Sequence, residues 1–144
     1  MKPDIVGDQV RFIAACPGCG QSAPAQGGQA LVFGRLEWSI ETECPACGPI
    51  VACGRRDIPT ELRERLLRHR PAQLELTRDG DDGRTAAIMK VIRSELALDL
   101  RATREMLKEL QAGHRTGTLP EIEKLARALR ASGVEARAVR QLRR

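Results

Sequence analysis

Cys16-Pro17-Gly18-Cys19-Gly20 and Cys44-Pro45-Ala46-Cys47-Gly48 are two copies of one pattern, Cys-Pro-x-Cys-Gly, set apart by residues 21–43. The pattern has a physical reason. A Cys-x-x-Cys turn brings two thiolates close enough to share one metal ion. The Pro fixes a turn dihedral, and the Gly after the second Cys is free to take φ > 0 and lets backbone N–H groups approach sulfur. Two such turns supply four thiolates, the closed tetrahedral set of a structural zinc site, so Cys16, Cys19, Cys44 and Cys47 are the expected metal ligands. The alternatives are an iron–sulfur site and a pair of redox Cys-x-x-Cys motifs. The redox reading is disfavoured because such a motif follows a strand in a βαβ unit, and none is evident. A catalytic metal needs an open position, usually with His or carboxylate among its ligands. The two histidines, His69 and His114, are far along the chain, and neither belongs to an H-x-E or H-E-x-x-H arrangement.

The flanks read as strands. Val10–Ala15 leads into the first cysteine pair, Ala30–Thr42, broken at Gly34, leads into the second, and Pro49–Cys53 leaves it, with Gly27-Gly28 as a turn signal between them. Over residues 8–56 the chain resembles a zinc ribbon, a family of paired Cys-Pro-x-Cys-Gly turns on β-hairpins. Cys53 lies in the apolar stretch Ile50–Cys53 and reads as a small buried hydrophobe. Phe33 and Trp38 read as core of this small module.

The 144 residues suit one medium domain or two small ones, and a small module often needs a metal for stability. Apolar residues are 42% and charged residues 30%, which is the balance of a soluble globular chain. No apolar run approaches the ~20 residues of a membrane span. No secretory signal is read at the start, so a cytoplasmic, reducing setting is expected, which favours metal ligands over disulfides. The formal charge of +5 is unevenly placed. Residues 1–57 and 58–83 are each at −1, and residues 84–144 hold 14 basic and 7 acidic side chains, or +7. That basic third invites an anionic partner. All three aromatics, Phe12, Phe33 and Trp38, lie outside it, so it has no ring on which to stack a base.

Asp57-Ile58-Pro59-Thr60-Glu61 has the composition of a helix start, and Pro71 stops the helix, which is expected over 59–69 with Leu62, Leu66 and Leu67 on one stripe. Leu74 and Leu76 alternate with polar residues as in a strand, and Arg78–Gly83 reads as a turn with the Asp81-Asp82 pair inside it. Three helices are then expected. Thr85–Leu96 carries Ile88, Ile92 and Leu96, and Leu100–Gln111 carries Leu100, Thr103, Leu107 and Leu110. The third opens on the capping box Thr118-x-x-Glu121 and ends at Gly133. Val134–Val139 closes as a strand. The expected fold class is α+β: a small β zinc ribbon, residues 1–57, a linker helix, 58–72, and a two-layer α/β sandwich of order β-α-α-(β)-α-β, 73–144.

Residues 74–139 resemble the C-terminal domain of the bacterial ribosomal stalk protein, which recruits translational GTPases. The resemblance rests on Thr85-Ala86-Ala87-Ile88-Met89-Lys90-Val91-Ile92-Arg93, on Leu98–Arg104 and on Leu125–Val139 with its Gly133. It departs at Ala97 and Asp99, which stand in place of two glycines, and at a middle strand that should fall near Ala112–Gly117 but has no apolar residue from Gly113 to Thr116. The zinc ribbon replaces the stalk protein's dimerisation segment, so the chain is a different protein that borrows the domain. The resemblance implies a partner surface of Ala86, Met89, Lys90, Arg93 and Arg104 on the first two helices, fit for weak, salt-sensitive capture of an acidic, translation-related protein.

No catalytic constellation is present, so the chain reads as a non-enzyme. The leading function is a zinc-binding adaptor for an acidic protein. The alternative is binding of RNA, DNA or the ribosome through the ribbon or the basic third. A homodimer through the ribbon, with Trp38 and Phe33 as contacts, is a third reading.

Overall fold

A computed structural model describes residues 5–76 and 83–141. The chain divides into two compact units, Met1–His69 and Arg70–Arg144, and mixed helices and antiparallel sheets make it α+β.

The first unit is a four-stranded antiparallel meander of β1 (Ile5–Ala15), β2 (Ser22–Val32), β3 (Arg35–Cys44) and β4 (Gly48–Arg55). A single helix, α1 (Thr60–His69), follows. Strands β2 and β3 turn back at Phe33-Gly34, where both residues have positive φ (48° and 82°), the conformation that suits the twist of a two-residue hairpin. The turn expected at Gly27-Gly28 is absent. These glycines sit in the middle of β2, where Gly27 faces Val10 on one side and Ile40 on the other. The glycine serves close approach instead. A Cβ on Gly27 would stand 2.5 Å from Leu62 Cδ1 and 3.2 Å from Phe12 Cε1.

Helix α1 thus lays Leu62 and Leu66, both fully buried, on the sheet face formed by Ala23, Ala25, Gly27 and Leu31. The Arg65 guanidinium stacks 4.5 Å from the centroid of the Phe12 ring and bonds Glu61 one turn back. Two burial expectations fail. Phe33 is 73% exposed because it occupies the hairpin tip, beyond the sheet's apolar face. Cys53 is exposed because β4 is an edge strand, away from β1 and β2 on which α1 packs. Trp38 is half-buried, its ring lying over Gly54, the cross-strand neighbour where a Cβ would clash at 2.8 Å.

The second unit holds β5 (Ala72–Leu76), α2 (Gly83–Leu96), α3 (Leu100–Gln111), β6 (Thr116–Gly117), α4 (Leu119–Ala131) and β7 (Ala136–Arg140). The sheet order is β6-β5-β7, all antiparallel. The middle strand is only Thr116–Gly117, as its lack of apolar residues would dictate. Buried Leu74, Ile88, Ile92, Leu110, Ile122 and Leu129 form one core between helices and sheet. Leu100 stays exposed, so the apolar stripe of α3 starts at Thr103, whose hydroxyl donates to the Asp99 carbonyl. The capping box on α4 is complete: Glu121 N–H donates to Thr118 Oγ1 at 3.3 Å and Thr118 N–H to Glu121 Oε1 at 3.2 Å. Between α2 and α3, Ala97 takes φ 51° and Asp99 caps α3 by accepting from Ala102 N–H at 2.8 Å. The turn expected from Arg78 to residue 82 lies outside the described residues.

Two substitutions test these contacts in urea unfolding. Gly27→Val, which drives a side chain into Leu62, should destabilise the first unit by about 1–3 kcal/mol. Ala97→Gly, which relieves a left-handed residue bearing a Cβ, should stabilise the second by about 1 kcal/mol.

Candidate metal centre

Strand register explains why the cysteines meet. The β1–β2 turn and the β3–β4 turn lie at the same end of the meander, because β2 and β3 run out to Phe33-Gly34 and back with Ala25 beside Thr42. Cys16 follows β1, Cys19 precedes β2, Cys44 ends β3, and Cys47 precedes β4. Their four sulfur atoms all lie within 4.8 Å of one another, and Cys19 Sγ is 3.6 Å from Cys44 Sγ. Cys16 and Cys44 are buried, and Cys19 and Cys47 face outward. The two copies of the pattern therefore contribute one inner and one outer sulfur each, and the group could hold a metal ion.

Local backbone prepares the sulfurs as acceptors. Gly20 and Gly48 take φ 79° and 80°, the conformation their position after each second Cys foreshadows. The first turn closes through Gly20 N–H to Cys16 O (2.8 Å) and Cys16 N–H to Gln21 O (2.7 Å). Gly18 N–H donates to Cys16 Sγ at 3.3 Å, and a Cβ on Gly18 would crowd Cys47 Sγ at 3.2 Å. N–H groups of Cys47 and Ala46, aimed at Cys44, lower its thiol to about 7. Hydrogen bonds with the Cys19 and Cys16 thiols push Cys47 up to about 12. For Cys19 the Gln21 N–H pulls downward, but the Cys44 thiol and burial outweigh it and the thiol is raised. Cys44 thus ionises more readily than Cys19 and Cys47, which hold their protons. Gln21 is the contributor that residue type could not reveal, since it acts through its backbone.

The other residues singled out from sequence are placed on α2 and α3. Ala86, Met89, Lys90 and Arg93 share one stripe of α2, opposite buried Ile88, Val91 and Ile92. Ala86, Lys90 and Arg93 are exposed, Met89 is half-buried, and Arg104 is exposed on α3. His69 ends α1 and His114 lies just beyond α3, so neither joins the cysteines. Among the described residues, the cysteine quartet is the one group suited to a metal, and no helix is long and apolar enough to cross a membrane. No family model matches the chain, and neither a curated protein nor a solved structure matches it.

The thiol order sets a pH signature. Below about pH 7 Cys44 keeps its proton, which a metal must displace, whereas above it Cys44 is already ionised. Titrating the metal-free chain with cobalt(II) should therefore show affinity rising with pH, and proton release per metal falling by about one across pH 7. Release that stays constant across that range would contradict the assigned order.

Proposed function

We propose that the chain is a non-enzymatic adaptor: a zinc ribbon joined to a two-layer domain like that of the ribosomal stalk protein, which captures an acidic protein on the outer stripe of α2 and the adjoining α3. Zinc is the metal of choice because four thiolates on a roughly tetrahedral cluster match its preferences. Bonds of about 2.3 Å place sulfurs roughly 3.8 Å apart, and the observed separations, 3.6 Å for Cys19–Cys44 and at most 4.8 Å, surround that value. With all four positions taken by Cys16, Cys19, Cys44 and Cys47, the ion would have no site for substrate. It would supply stability, since the sheet end beneath it has only Cys16, Ala23, Cys44 and Ile50 as apolar packing.

The observation that carries the partner reading is the α2 stripe. Lys90, Arg93 and Arg104 are exposed and none takes part in an ion pair among the described residues. Several other cations of the basic third are paired, Lys124 with Glu95, Arg127 and Arg130 with Glu123, and Arg137 with Glu75, while Lys108 and Arg115 join no ion pair among the described residues. Lys90 and Arg93 share the stripe with Met89, an adaptable apolar contact. A few cations with a small apolar centre and no aromatic platform suit an acidic protein surface better than nucleic acid, and the binding would be fast and salt-sensitive. A translation factor is the partner class that the stalk resemblance suggests.

Affinity capture from nuclease-treated source-cell lysate, comparing the natural chain with Lys90→Glu/Arg93→Glu, tests this. The expected result is one protein partner that survives nuclease, weakens with salt and disappears on charge reversal, with the circular dichroism spectrum unchanged. Capture indifferent to the reversal, or lost entirely to nuclease, would overturn it.

A further inference from the structure

We propose that β4 is a dimerisation edge, through which two copies of the chain join antiparallel into one continuous sheet. The inference stands apart from the adaptor reading and uses different residues. β4 pairs with β3 on one side, and among the described residues no strand pairs with the other. A free edge offers unpaired N–H and C=O groups, and proteins usually guard it with charged side chains, a central Pro or a bulge. β4 has little of this. From Gly48 to Gly54 it carries no charge, and Pro49 sits only at its start. Val51, at 60% exposure, Ala52 and Cys53 all face outward. The opposite edge, β1, carries Asp8 and Arg11 in mid-strand.

The complementarity of the strand with itself identifies the occupant. A two-fold axis through Ala52, perpendicular to the sheet, pairs nearly the whole strand and keeps each face in register. Ala52 then faces Ala52 of the second copy, Val51 faces Cys53, Pro49 faces Arg55, and Ile50 faces Gly54. Two features fall into place. Glu43 is the β3 neighbour of Pro49 and Glu37 that of Arg55, so Arg55 of each copy lies between Glu37 of its own copy and, two strand spacings or roughly 10 Å away on the same face, Glu43 of the other, within the joint reach of the two side chains. Trp38 lies over Gly54, so its ring borders Ile50 of the second copy and extends apolar contact across the seam. An isologous β4–β4 contact closes at two copies, whereas β4 on β1 would build a ring or an open fibre.

The test uses the full, metal-loaded chain in sedimentation velocity over a wide concentration range. The expected result is a monomer–dimer equilibrium that stops at two copies. Ala52→Lys, which sets like charges face to face at the axis on an exposed position, should move the midpoint to about tenfold higher concentration or beyond. Arg55→Glu alone should also weaken the dimer, and adding Glu43→Arg should restore it, which fixes the register without relying on Ala52→Lys. A natural chain that stays monomeric throughout, a dimer that ignores both Ala52→Lys and Arg55→Glu, a swapped pair without rescue, or growth past two copies would each overturn the proposal.

Discussion

Convergence of four sulfurs at one end of a meander is the constraint on which the first unit depends. The β2–β3 hairpin runs from Ser22 to its turn at Phe33-Gly34 and returns to Cys44, and that out-and-back path is the reason for the distance between the two Cys-Pro-x-Cys-Gly copies. Shortening β2 alone would move one pair of thiols away from the other and flip the faces of the paired residues. The sheet end at the cysteines has few apolar side chains, so a metal ion bound there would supply what α1 supplies further along through Leu62 and Leu66.

The second unit rests on conventional packing. Its helices close over β5 and β7 with Ile92, Leu129 and Leu74 completely buried. That leaves α2 with two unlike faces, an aliphatic one fixed by the core and a cationic one with no role in it. A stripe that stability does not require can change composition at little structural cost, which makes it suited to selecting partners.

Much of this was legible from residue order. Both cysteine pairs, the helix spans, the Thr118–Glu121 cap and the weak middle strand follow from local chemistry, which acts over a few residues. Gly27-Gly28 misled because glycine signals both turns and close approach, and only the distant Leu62 decides between them. Phe33 and Cys53 misled for a related reason. Their apolar character argues for burial, but the hairpin turn and the placement of α1 on one face determine which apolar residues are covered. Ala97 is a third instance: nothing in an alanine announces a left-handed backbone, which the flanking helices impose. The outward stripe of α2 was legible only as helical spacing, and its orientation depends on the whole core.

The separation between the Phe33-Gly34 turn and the cysteines also orders events in time. Each Cys-x-x-Cys pair is local and can take hold of a metal before anything else has formed, but joining the two pairs requires the intervening hairpin to have zipped from its tip to its base. A metal ion held by all four sulfurs would therefore report that β2 and β3 are in register, which an ion held by one pair alone would not.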